Sequence, residues 1–161
     1  MTARILLAAL LSIASATADA DASGLVVGVS DGDTLTVLEA DHSQRRIRLA
    51  GIDAPEKSQA FGDRSKRALS DCAFGRQAVL VGSKVDRYGR LVAKVVVGGV
   101  DCNLRQVALG LAWHYKDYER EQLAEDRAAY ATAESEARDR RSGLWRDDEP
   151  LAPWAYRRDR R

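Results

Sequence analysis

Five charged residues in the middle of the chain carry its strongest chemical signal. Asp33 lies in the run Asp31-Gly32-Asp33-Thr34, and Asp53 and Glu56 bracket Ala54-Pro55. Arg48 sits between Ile47 and Leu49, and Arg90 precedes an apolar run that starts at Leu91. Thr34 to Leu38 and Arg45 to Ile52 read as two strands of a hairpin turning near His42 or Ser43. Antiparallel partner numbers then sum to about 84 to 86, which sets Asp33 across from Gly51 to Asp53. Two carboxylates converge at the open end of the hairpin, and Glu56 follows close behind. Three convergent acids repel one another unless a cation lies among them. Their donors are hard oxygens, which select Ca²⁺ or Mg²⁺ over a softer metal. Two arginines beside such a cation suit an oxyanion that can be gripped twice, such as a phosphodiester. Each piece alone also has a plainer reading. Asp31 to Thr34 can be a capped turn, Asp53 to Glu56 a loop entry, and Arg48 a solvated strand residue. There is one geometric obstacle. Strict alternation puts Arg48 and Asp53 on opposite faces, so a bulge or kink at Gly51 is needed to unite them.

The elements that must hold these residues follow from periodicity. Leu25 to Val29 is an apolar strand ending at the turn Ser30-Asp31-Gly32. Leu35 and Val37 alternate in the second strand, Ile47 and Leu49 in the third. Phe61 to Ala73 has helical spacing and stops at Gly75. Ala78 to Val85 and Leu91 to Val97 form a hairpin across Asp86-Arg87-Tyr88-Gly89, with Gly89 suited to positive φ. Asn103 to Leu109 is a short helix closed by Gly110, and Tyr118 to Arg141 a long charged one. Five short strands, with a helix between the third and fourth, suit a β-rich α+β chain. The expected architecture is a five-stranded OB-fold Greek-key barrel with three helices.

The 161 residues suit one domain with tails, and a hydrophobic fraction of 45% excludes a mostly disordered chain. With 25 basic against 24 acidic residues, charge alone does not announce a nucleic-acid binder. Two His, without HExxH or CxxC spacing, argue against a zinc enzyme. Residues 1–20 read as a secretory signal peptide. Arg4 precedes an apolar run from Ile5 to Ile13, and Ala16-Thr17-Ala18 and Ala18-Asp19-Ala20 fit small-x-small cleavage. The mature protein would then work in the periplasm or be secreted, with no membrane contact after cleavage. Outside the cytosol calcium is the expected cation. Cys72 and Cys102 become a candidate disulfide there, the other reading being two buried free thiols. Residues 21–146 form the expected domain, and the Arg-rich tail 147–161 is expected to be mobile and solvated. Nothing indicates an obligate oligomer, so a monomer is expected.

Asp31-Gly32-Asp33-Thr34, Arg48-Leu49-Ala50-Gly51-Ile52-Asp53-Ala54-Pro55-Glu56 and Asp86-Arg87-Tyr88-Gly89-Arg90 resemble the staphylococcal-nuclease (thermonuclease) family in content and order. So do Asn103-Leu104 to Gly110-Leu111-Ala112 and the closing Gly143-Leu144-Trp145. Each motif is weak, but the ordered set, spanning about residues 25 to 146, is specific. The resemblance implies an OB-fold and a calcium-dependent nuclease acting on DNA and RNA and leaving 3′-phosphates. Carried over residue by residue, it implies Asp33 and Asp53 as calcium carboxylates and a backbone carbonyl at Ala54. It implies Glu56 on the attacking water and Arg48 and Arg90 on the phosphate. Arg87 and Tyr88 would meet the terminal phosphate and sugar, and Trp113 and Tyr115 would wall a base. Trp113 also reads as a core residue after the short helix. A base-tolerant stacking platform implies cleavage that favours unpaired strands.

This sequence also departs from the family pattern. Ala54 stands where some relatives carry Thr, which loses a hydroxyl but spares a backbone ligand. Arg87 replaces a Lys, keeping charge with a different geometry. The near-zero net charge weakens electrostatic steering toward nucleic acid, which phosphate contacts from the Arg-rich tail could offset.

Overall fold

The computed structural model describes residues 22–160. The signal-peptide reading of residues 1–20 lies outside the described residues. Strands β1 (Ala22–Val29), β2 (Thr34–Leu38), β3 (Gln44–Leu49) and β4 (Ile52–Asp53) precede helix α1 (Gly62–Ala73). Then come β5 (Gln77–Val85), β6 (Leu91–Val97), β7 (Val100–Asp101), α2 (Cys102–Ala108) and β8 (Trp113–His114). Helices α3 (Ala124–Asp139) and α4 (Pro153–Arg158) complete the chain, with 3₁₀ turns at Lys116–Glu121 and Gly143–Arg146. The sheet runs β3-β2-β1-β5-β6, and β6 closes it by pairing in parallel with β3. This is the expected five-stranded mixed barrel. Closure covers the Ile47–Leu49 part of the β3 edge with Leu91–Ala93 of β6, which reduces the aggregation hazard of an open sheet.

Alternation decides what fills the barrel. Val26, Leu35, Val37, Ile47, Leu49, Leu80, Leu91, Ala93 and Val95 are all buried, while their strand neighbours, buried Thr34 apart, are more exposed. Each large aliphatic side chain of this set contributes roughly 1.5–3 kcal/mol by leaving water. Cys72 on α1 and Cys102 on α2 are joined by a disulfide across 30 residues of chain, fastening the two helices together under the barrel. A second apolar cluster, Trp113, Ala137, Leu144 and Trp145, seats α3 and the closing 3₁₀ turn.

Three details differ from the sequence reading. The β2–β3 hairpin turns on Asp41, because Leu38 pairs with Gln44 and Thr34 with Arg48. His42 takes positive φ, and Asp41 accepts a hydrogen bond from the Ser43 N–H, which holds the turn one to two residues earlier. Asp33 therefore lies across from Leu49, whose N–H donates to the Asp33 carbonyl, and not across from Gly51 to Asp53. Helix α3 starts at Ala124, later than Tyr118, because Gln122 and Leu123 are extended. The Gln122 side chain is drawn away to pack on Gly51 and bond His114. Finally, the tail is not simply solvated: it forms a fourth helix. Pro153 is buried at the start of α4 and Trp154 and Tyr156 find partners on the body, so apolar contacts dock what its arginines alone would leave in water.

Candidate active site

The site forms where β3 ends. Gly51 adopts φ 71°, a conformation that L side chains avoid, and there the chain leaves the barrel wall. That kink is the one strict alternation demanded. It lets Arg48 Nη2 reach Asp53 Oδ1 at 2.9 Å although the two residues started on opposite faces. The bend is clamped from both sides. Buried Asn103 accepts from the Val95 N–H and donates to the Ala50 and Ala93 carbonyls. The Gln122 amide lies against the Gly51 Cα, so close that an added Cβ would sit 2.1 Å from its nitrogen.

Asp33 arrives from the β1–β2 loop. The Asp31 carboxylate accepts from the Asp33 N–H, and the Gly32 carbonyl accepts from buried Gln106. A Cβ on Gly32 would fall 1.8 Å from the Ser65 hydroxyl and 2.8 Å from the Ala54 Cβ, so only glycine lets this loop press against α1. The Asp33 carboxylate takes the Ala54 N–H at 2.7 Å and Arg48 Nη1 at 3.2 Å. Thus Asp33 and Asp53 flank one guanidinium, both nearly closed off from solvent. Burial pushes the Asp53 carboxyl above its usual range, against the pull of Arg157 and Arg48. Burial and the neighbouring Asp33 push Asp31 up to about 6.

Glu56 does not join the two aspartates in a bare triad. Arg157 of α4 lies between them, with Nη2 2.8 Å from Asp53 Oδ2 and Nη1 2.8 Å from Glu56 Oε1. Among the described residues no three His, Cys, Asp or Glu side chains close into a metal-type cluster. The cations lying among the acids are the two guanidiniums. The donor set still fits a hard divalent ion. Asp33 and Asp53 are oxygen donors held rigidly by the Ala54 N–H and Arg48, and a nearly buried carboxylate requires a counter-charge.

Arg90 is placed but not joined to the acids. Ile47 pairs with Leu91, so Arg48 and Arg90 share the outer face of adjacent strands. The Arg90 guanidinium is held by Asp86 at 2.7 Å and lies over the Tyr88 ring, as Arg87 does. Tyr88 is exposed at the tip of the β5–β6 loop. Trp113 must be corrected: it is 6% exposed and packs edge-on against Trp145 at 5.3 Å. Its ring belongs to the second apolar cluster and meets both Trp145 and Trp154 edge-on, so with α4 docked it is closed to a base. Tyr115, two residues on, reaches the surface beside the site. Its ring stacks on Trp154 at 5.4 Å with 15° between planes. Sequence reasoning missed Arg157 and Trp154, whose only signal was an aromatic residue set among the tail arginines. It also missed Gln122, which no local pattern singles out.

Comparison with known proteins points the same way as the barrel. The model of a family described as staphylococcal nuclease homologue matches residues 46–147. A Haemophilus influenzae protein named uncharacterized endonuclease is 42% identical over 133 residues, 83% of this chain and 71% of its own length. Micrococcal nuclease of Shigella flexneri is 40% identical over 164 residues, 96% of this chain and 91% of its own length. Protein ParB of Escherichia coli is 38% identical over 149 residues, 87% and 81% of the respective chains. A closed barrel of this strand order, similar to these relatives along nearly its whole length, belongs to the staphylococcal nuclease homologue family.

Proposed function

We propose that the protein is a calcium-dependent nuclease that hydrolyses phosphodiester bonds of DNA and RNA, prefers unpaired strands and leaves 3′-phosphates. The observation that carries this reading is the convergence of Asp33, Asp53 and Arg48 at the Gly51 kink. The family and the nuclease names of its relatives support it. Asp33, Asp53 and the Ala54 carbonyl would hold the calcium ion, which when bound supplies a Lewis acid for a phosphoryl oxygen. Arg48 and Arg90, on one barrel face, grip the phosphate and offset the charge that grows on it. Glu56, partly exposed, orients the attacking water and takes its proton. Arg87 and Tyr88 contact the terminal phosphate and sugar, and Tyr115 stacks a base.

The protein acts as a monomer outside the cytosol, after removal of residues 1–20. Two observations support export: the leader's sequence pattern and the Cys72–Cys102 disulfide. Among the described residues no helix is long and apolar enough to cross a membrane. The test is release of acid-soluble nucleotide from denatured DNA, first with calcium and then with a chelator. Activity should need calcium and fall by roughly 10²- to 10⁴-fold in Glu56→Gln, the range for loss of a general base. Single-strand binding without release in either condition would overturn the reading in favour of a non-catalytic binding module.

A further inference from the structure

The tail places a charged and an aromatic group on the two parts of the site that substrate and cation would need. Arg157 bridges Asp53 and Glu56, its Nη1 also lying 3.3 Å from Asp53 Oδ1. Trp154 covers Tyr115 face to face and meets the edge of Trp113 at 6.1 Å. Tyr156 exchanges hydrogen bonds with Ser58, and the Leu151 carbonyl accepts from Gln59, both in the loop that follows Glu56. These contacts join the tail to the aromatic wall, to the acids and to the loop that follows Glu56.

We propose that the segment 151–160 is an intramolecular strap that occupies the cation and base positions, and that calcium binding expels it. This rests on reading Asp33, Asp53 and the Ala54 carbonyl as the cation site, with Glu56 beside it as the base. Charge favours the exchange. Asp33, Asp53 and Glu56 against Arg48 and Arg157 leave one negative charge, whereas a divalent ion in place of Arg157 leaves none. The strap is also poised to leave. Helix α4 has six residues, too few to hold itself together in water, so its order comes from docking. The Arg157 side chain is still 41% exposed, against 1% for Asp53, so it caps the site from outside without being walled in. A strap of this kind keeps the enzyme quiet where calcium is scarce and frees Tyr115 for a base once the ion binds.

The experiment compares calcium binding by calorimetry in the purified protein, Arg157→Gln and Arg158→Gln. Arg158 is exposed on the same helix, so its variant removes equal charge without releasing a contact to the acids. Arg157→Gln should bind calcium roughly tenfold more tightly, about the worth of a lost charge-assisted hydrogen bond, and Arg158→Gln within about twofold of the parent. In parallel, hydrogen exchange should show the Tyr156 and Asp159 amides of the parent losing protection when calcium is added. Calcium binding that is equally tight in all three proteins, with α4 still protected, would overturn the strap and leave the cation site standing. Equal tightening in both variants would reduce the effect to net charge and overturn it as well. Failure of every protein to bind calcium would overturn the cation site and the strap together.

Discussion

Replacing Gly51 with Ala tests the physical hinge of the site. Two costs arise. A Cβ at φ 71° incurs the left-handed penalty of about 1–2 kcal/mol. The same Cβ would stand 2.1 Å from the Gln122 amide nitrogen, so that side chain must leave and give up its bond to His114, about 1 kcal/mol more. The sum is about 2–3 kcal/mol, which for a domain of this size lowers Tm by roughly 6–12 °C. Function should fall further than stability. Arg48 and Asp53 meet only because the chain turns at Gly51, so relaxation of the kink separates the cation ligand from the phosphate grip. Thermal melts followed by circular dichroism, with nucleotide release at a temperature where both proteins are folded, measure the two effects separately. Gln122→Ala supplies the control, since in that background Gly51→Ala should cost only the backbone strain. A Tm within about 2 °C of the parent, or the same Gly51→Ala cost in both backgrounds, would refute the reasoning.

The two aromatic residues flanking His114 should separate cleanly. Trp113→Ala should cost about 3–5 kcal/mol of stability, as a buried indole does, while Tyr115→Ala should leave the urea midpoint nearly unchanged and weaken oligonucleotide binding; the reverse pattern would restore Trp113 as the stacking residue. Asp31 gives a pH signature. Its carboxyl holds a proton up to about 6 when folded but only to its ordinary 3.8 when unfolded, so the folded state binds more protons between the two and stability declines as pH rises through that window. Asp53 is shifted in the same direction and adds a part of its own. Urea unfolding at pH 4 and pH 7 should therefore show a smaller decline in Asp31→Asn than in the parent, and an unchanged decline would contradict the assignment.

Side-chain type and period-two alternation were enough to read the barrel. Leu35 and Val37, Ile47 and Leu49 can bury only on one face of a strand, and five such strands around a helix leave few ways to close. The same residues made the acid and arginine set legible, because Asp33, Asp53, Glu56 and Arg48 have no common structural reason to cluster. Alternation even exposed the need for a kink at Gly51, since no regular strand brings Arg48 to Asp53. What could not be read there depended on contacts between distant segments. The turn centre moves to Asp41 through a side-chain cap and a positive φ, one to two residues earlier, and Asp33's partner moves by two to four residues, from Gly51–Asp53 to Leu49. Gln122 leaves its expected helix for a contact 71 residues back along the chain. Trp113 is buried by Ala137, Leu144 and Trp145, which arrive from later in the chain, and indole is equally at home in a core or against a base. Arg157 looks like any tail arginine until Pro153 and Trp154 find their apolar partners and carry it to Asp53, 104 residues away. Local pattern sets which face of an element is apolar; packing alone sets which remote charge that face brings to the site.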